Sequence, residues 1–390
     1  MKMKLRAAAV VSASALLLVG CSTTGEGGGG EAGGLVGTGS GDSCVIESPI
    51  KVGAALSLTG AAGSYGVSQQ EGLELALEEL KANDGITYEL NVEDDASEPR
   101  QGMSVMESFV ADGTSIVFGP TLSQTAEAAM PVANDAKMPV MGISTTASGI
   151  TAIGEYVFRD SLTEAQVIPQ TVDAVIEKFN AKKVVVMYSN DDAFTESGYE
   201  VMAETLEGTD VEVLDTLTFS KSDTDFRSLL TAAKDKNPDA IIVSALIEAA
   251  IPLVTQAREL GIEQPIVGGN GFNNPKLMAD AGAAAEGVVV GAAWNSASDN
   301  PENTAFLAAY EAKFGSQPDQ FAAQAYSALY LVDAAVRSNC SAERSDLRES
   351  LAGLKDIATP LGAVSINSDR DAEHPAVVQQ VEDGKFAVLR

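Results

Sequence analysis

The chain has 390 residues, with 25 Lys and Arg against 55 Asp and Glu, a formal net charge of −30 at pH 7. So negative a balance disfavours nucleic acid and anionic lipid surfaces as partners. A hydrophobic share of 45% supports cores of ordinary size, the length suits two domains, and three cysteines with one histidine leave little for a metal site.

The first residues read as an export signal. Lys2, Lys4 and Arg6 precede an apolar run from Ala7 to Val19, broken only by Ser12 and Ser14. The run is short for a membrane span and fits a secretory signal. It ends in Leu18-Val19-Gly20-Cys21, which resembles the lipobox of bacterial lipoproteins. The resemblance implies a lipidated Cys21 that anchors the mature chain at the outer face of the bacterial cytoplasmic membrane. Residues 22–43 are rich in Gly, Ser, Thr and Glu and read as a flexible linker, with a reach of roughly 25 Å. Cys44 and Cys340 remain in what is then an oxidising compartment, where a disulfide is expected; two buried thiols are the alternative.

The body alternates apolar runs with amphipathic stretches. Residues 50–56 read as a strand, 68–83 as a helix, 88–94 as a strand, and 101–112 as a helix with Met103, Met106, Phe109 and Val110 on one face. A strand at 115–118, a helix at 123–134 and a strand at 139–143 follow. The pattern restarts with helices at 165–179, 195–206, 226–236 and 249–260, and strands at 183–188, 211–219, 240–245, 265–268 and 287–292. A helix at 321–338 and a late hairpin at 362–389 finish the chain. Such runs predict an α/β fold of two Rossmann-like lobes with parallel sheets, an eight-fold barrel being the alternative.

Enzyme signatures are missing. No P-loop motif occurs, and Gly60, Gly63 and Gly66 have the wrong spacing for a dinucleotide fingerprint. Residues 142–146 do not match a nucleophile elbow. A catalytic triad would have to use His374, the sole histidine, in a polar late turn. Asn367, Asp369 and Asp371 alternate like a calcium loop but lack its Gly and distal Glu, so a hairpin turn is expected there. Neither a cofactor nor a metal is expected. Polar residues do gather at the C-terminal ends of strands, at 58–66, 119–123 and 143–148, where open parallel sheets bind ligands. Ser123 and Thr146 each look placed at a helix start. Hydroxyls and backbone N–H groups there can hold a carboxylate without a cationic side chain, although each residue alone could be a plain N-cap.

Residues 50–65, 93–99, 119–123 and 144–147, with 188–194, 224–226, 256–258, 268–271 and 285–288, together resemble the branched-chain amino-acid (Leu/Ile/Val) binding proteins, type I substrate-binding proteins of ABC importers. The resemblance implies two lobes joined by three hinge crossings, with 44–161 plus 295–360 in the first and 162–294 plus 361–390 in the second. It implies a ligand carboxylate held by Ser123 and Thr146 and by backbone at Ser144 and Thr145. Tyr65, Phe194 and Leu246 would wall the pocket, Leu246 standing where the family has an aromatic residue. Asn270 falls where the family places an acid to pair with the ligand ammonium, and Glu248 is a candidate replacement. The implied function is a monomeric, lipid-anchored receptor that delivers an amino acid, amide or small carboxylate to an ABC permease, without catalysis. A sensing receptor of the same fold is the alternative.

Overall fold

The computed structural model describes residues 34–81 and 85–390; the leader, Cys21 and residues 22–33 lie outside the described residues. The first lobe begins with β1 (Ile50–Leu56), α1 (Gly63–Leu80), β2 (Tyr88–Asp94), α2 (Pro99–Ala111), β3 (Ile116–Phe118), α3 (Ser123–Asp135), β4 (Val140–Gly142) and β5 (Val157–Arg159). Its five parallel strands run in the order β2-β1-β3-β4-β5. Apart from the exposed Lys51 and the buried Arg159, β1, β3, β4 and β5 are apolar and buried on both faces, as a parallel sheet under two helical layers requires.

The chain then enters the second lobe through α4 (Glu164–Phe179), β6 (Lys183–Ser189), α5 (Ala193–Glu207), β7 (Glu212–Phe219), α6 (Arg227–Asp235), β8 (Ala240–Ser244), α7 (Ile247–Glu259), β9 (Ile266–Gly268), α8 (Lys276–Ala281) and β10 (Val289–Ala292). It returns to the first lobe for α9 (Pro301–Phe314), α10 (Gln320–Asn339), α11 (Arg344–Ala352), β11 (Ile357–Thr359), β12 (Gly362–Ile366) and β13 (Ala372–Glu373), and ends in β14 (Val377–Glu382) and β15 (Lys385–Val388). The second sheet has seven strands in the order β15-β14-β10-β9-β8-β6-β7, all running one way except β14, which is antiparallel to both its neighbours. The lobes are therefore similar but unequal.

Three segments pass between them, at 160–163, 293–295 and 374–376. Leu162, Ala293 and Ala376 from these segments pack together with Val167. The late hairpin expected at 362–389 is split by the last crossing. Val364, Ile366 and Ala372 join the first lobe's core, while β14 pairs with β10. Residues 361–373 thus belong to the first lobe, not the second: their apolar side chains fit that core, and no turn joins β12 directly to β14.

α1 and α10 pack closely. A Cβ at Gly72 would stand 2.2 Å from the Ala322 carbonyl oxygen, so only glycine permits the approach. α10 is capped by Asp319, whose carboxylate accepts from the Ala322 N–H, and it ends at Cys340 in the left-handed region. Cys44 and Cys340 form a disulfide, with Cα atoms 5.4 Å apart. Around it Val36 bridges to Ser341 and Thr38 to Val45, and the Gly37 N–H donates to the Cys340 carbonyl. Residues 34–38 are consequently docked by backbone pairing, and 41–43 form a 3-10 turn, so this stretch is not part of a flexible linker. Backbone pairing beside a cross-link outweighs their glycine-rich composition.

Candidate functional site

The two lobes meet over a tight pocket with a cavity volume of about 20 Å³, room for little more than a water molecule while the lobes are together. Tyr65, Ser123, Ser144, Thr146, Phe194, Leu246 and Asn270 line it, joined by Thr121, Leu122, Gly271, Gln320, Phe321 and Gln324. Thr145 is excluded. Its fully buried side chain turns behind the loop against Gly142.

The first lobe supplies a polar wall from the ends of β3 and β4. Ser123 is the first residue of α3, whose opening N–H groups lack intrahelical partners. Thr146 does not begin a helix; it lies in the irregular loop after β4, and no helix starts until Thr151. That loop is braced from below. The Ser144 hydroxyl donates to the Thr121 carbonyl at 2.6 Å and accepts from Gln69 at 2.7 Å, so it is a strut. Arg159, 2% exposed, donates to the carbonyls of Thr145 (2.8 Å) and Ala147 (2.7 Å) and pairs with Asp371 at 2.5 Å. With its carbonyls drawn onto Arg159, the loop leaves the N–H groups of residues 144–146 without a protein acceptor among the described residues. The Thr146 hydroxyl makes no close hydrogen bond, although it lies near enough to Glu164 to favour that carboxyl's ionised form. Hydroxyls, open amides and a nearby guanidinium suit a carboxylate.

The aromatic wall crosses the lobes. Tyr65 stacks on Phe321 with ring centroids 4.1 Å apart. The Tyr65 hydroxyl donates to the Gly271 carbonyl at 2.8 Å and accepts from the Ile247 N–H at 2.6 Å, so α1 is bolted to the second lobe. Gln320 adds a bridge: its Nε2 donates to Asn270 at 3.2 Å, and its Oε1 accepts from Asn273 at 2.9 Å and the Ala293 N–H at 2.7 Å. Asn274 donates to Asp319 at 2.9 Å and Lys221 to Gln124 at 2.7 Å. The cleft is closed.

Asn270 does not stand alone. Its Nδ2 donates to Glu164 Oε1 at 2.8 Å. Glu164 opens α4 behind a Thr163/Gln166 capping box and is 1% exposed. Burial pushes its pKa up to about 7, against the lowering effect of Asn270, Thr146 and the Arg159 charge. Glu164 thus brings an acid to the place where residue 270 lacks one. Glu248 does not: it sits at the half-exposed rim, 3.5 Å from Lys276 and 3.4 Å from Ser64. The sequence reading missed Glu164, Arg159, Gln320, Phe321 and Gln324. The capping box was the one available signal for Glu164; the rest depend on tertiary contacts.

The remaining motifs resolve as structure. Asn367 accepts from the N–H groups of Asp369 and Asp371, closing the turn before β13. His374 Nε2 donates to the Asp160 carbonyl at the hinge, at 3.3 Å. No cluster of metal-ligating side chains and no helix long and apolar enough to cross a membrane occurs among the described residues.

Two α/β lobes closed over a pocket whose polar wall holds no cationic side chain define a clamp-type solute-binding protein. Residues 49–385 match the periplasmic binding protein family. The chain is similar to the branched-chain amino acid transporter substrate-binding protein LivJ of Streptococcus pneumoniae, solved with isoleucine: 31% identical, covering 87% of this chain and 99% of that one, at a TM-score of 0.83. A solute-binding protein of an ABC transporter from Rhodopseudomonas palustris BisB5, solved with 3,4-dihydroxybenzoic acid, is 26% identical over 87% of this chain and 95% of that one, at 0.80. The Leu/Ile/Val-binding protein homolog 3 of Brucella melitensis is 26% identical over 87% of this chain and 93% of its own length. The chain belongs to the type I periplasmic binding proteins, in the branched-chain amino-acid branch. Its role is solute binding for ABC transport, not catalysis.

Proposed function

We propose that the mature chain, anchored through a lipidated Cys21 at the outer face of the cytoplasmic membrane, works as a monomer. It captures a small carboxylate-bearing solute, an amino acid or close amide or carboxylate relative, and delivers it to an ABC permease. The observation that carries this reading is the polar wall on the first lobe: the Thr146 hydroxyl and Ser123 in the opening turn of α3 line one closed gap, beside loop N–H groups at 144–146 that have no protein acceptor among the described residues. Tyr65, Phe194, Leu246 and Phe321 give that gap apolar sides. Glu164, behind Asn270, supplies the negative charge for an ammonium group. Because the guest touches both lobes, binding favours the closed state over the open one.

Mass spectrometry of solute released from freshly purified protein tests the reading, together with a thermal-shift panel of amino acids and small carboxylates. A released or stabilising carboxylate is expected. If nothing is released and no carboxylate raises the melting temperature, the reading fails. Metabolic labelling with a fatty acid tests the anchor, and retention of label after Cys21→Ala would contradict it.

A further inference from the structure

Six glutamines are buried in the described part of the chain, and five spend their side-chain amides on named partners. Gln69 bonds Ser144 and Thr121; Gln256 bonds Phe226 and Thr224; Gln379 bonds Asn273 and Asn295; Gln380 bonds Gly287 and Lys178. Gln320 is the strut described above. Gln324, one turn further along α10, is the exception. It is 0% exposed and lines the pocket, yet neither Nε2 nor Oε1 has a partner. A buried carboxamide left unpaired is costly, and native structures tolerate few without a functional reason.

We propose that the guest carries, besides its carboxylate, a carboxamide-type group that pairs with Gln324. This rests on the site reading above and narrows its solute class. The chemistry discriminates between guests. An isopropyl or sec-butyl side chain satisfies neither atom of Gln324. A second carboxylate satisfies only Nε2 and opposes Oε1, and no Lys or Arg lines the pocket to neutralise it. An ammonium satisfies only Oε1. A primary carboxamide satisfies both through two antiparallel N–H···O bonds. A site built to hydrogen-bond a polar group rejects the apolar isostere far more strongly than an apolar pocket rejects a missing methylene. Gln324 therefore turns the pocket away from leucine, isoleucine and valine.

The test is calorimetry on the purified mature protein, dialysed free of solute, with two isosteric pairs. Asparagine and leucine share a carboxylate and ammonium and differ only in amide against isopropyl; succinamate and 4-methylpentanoate repeat the contrast without the ammonium. The amide member should bind about tenfold or more tighter in whichever pair binds. Gln324→Leu should erase or reverse that ratio, and Gln324→Glu, which keeps the volume, should also lose it. Leucine binding more tightly than asparagine, or a ratio unchanged in both variants, overturns the proposal and leaves the carboxylate site standing. Failure of all four compounds to bind overturns both.

Discussion

Asp160 and Glu164 stand four residues apart on the first crossing, both shut away from solvent, in opposite settings. Neither oxygen of Asp160 has a partner, and burial drives its pKa well above the usual carboxylate range. It is an acid wedged into the hinge whose charged form burial disfavours. Glu164 has Asn270 and the field of Arg159, and its pKa stops at about 7. It stays ionisable near neutrality, beside the pocket. Burial alone makes an acid inert; burial with a donor and a nearby cation makes it responsive.

Arg159 divides the two settings, and removing it is the harshest challenge to them. Arg159→Met strands Asp371 and the carbonyls of Thr145 and Ala147. It should cost about 3–5 kcal/mol in denaturant unfolding, the usual result of halving a buried ion pair. Replacing Cys44 and Cys340 by Ser, far from both acids, should cost about 2–4 kcal/mol in the same assay while leaving solute affinity unchanged. Ser123→Ala and Thr146→Ala should leave stability nearly alone and weaken carboxylate binding by about 1–3 kcal/mol each in calorimetry.

The last effect is in pH. Both acids have raised pKa values when folded. The stability each contributes is present below the ordinary carboxylate range and lost as pH rises. For Glu164 the loss spans pH 4.5 to about 7. Melting curves of Glu164→Gln should therefore fall less across that window than those of the parent, by up to about 3 kcal/mol. For Asp160→Asn the gain over the parent should likewise grow as pH rises above the ordinary carboxylate range. An ammonium-bearing guest should also expel a proton from Glu164 near pH 6–7, seen as a buffer-dependent binding enthalpy. A carboxylate without an amine should not.

Much of this was legible in the sequence. The apolar runs at 50–56, 183–188 and 240–245 announced buried parallel strands because no solvated face interrupts them. Ser123, Ser144 and Thr146 drew notice as polar residues just past strand ends. What stayed hidden was set by packing. Glu164 reads as an ordinary acid in a helix's first turn. Gln320 and Gln324 read as polar positions on an amphipathic helix, and only the closed cleft buries them. The docking of residues 34–43 depends on a partner some 300 positions away, and composition pointed the other way. The hairpin expected at 362–389 is divided between the lobes, because an alternating pattern does not tell which of two cores receives it.

A crystal structure of the purified protein with the solute it retains tests the central claim most directly. The guest's carboxylate should lie within about 3 Å of the Ser123 and Thr146 hydroxyls and the N–H groups of residues 144–146, between the closed lobes. A guest bound outside the cleft, or one whose carboxylate points away from that wall, would contradict the account.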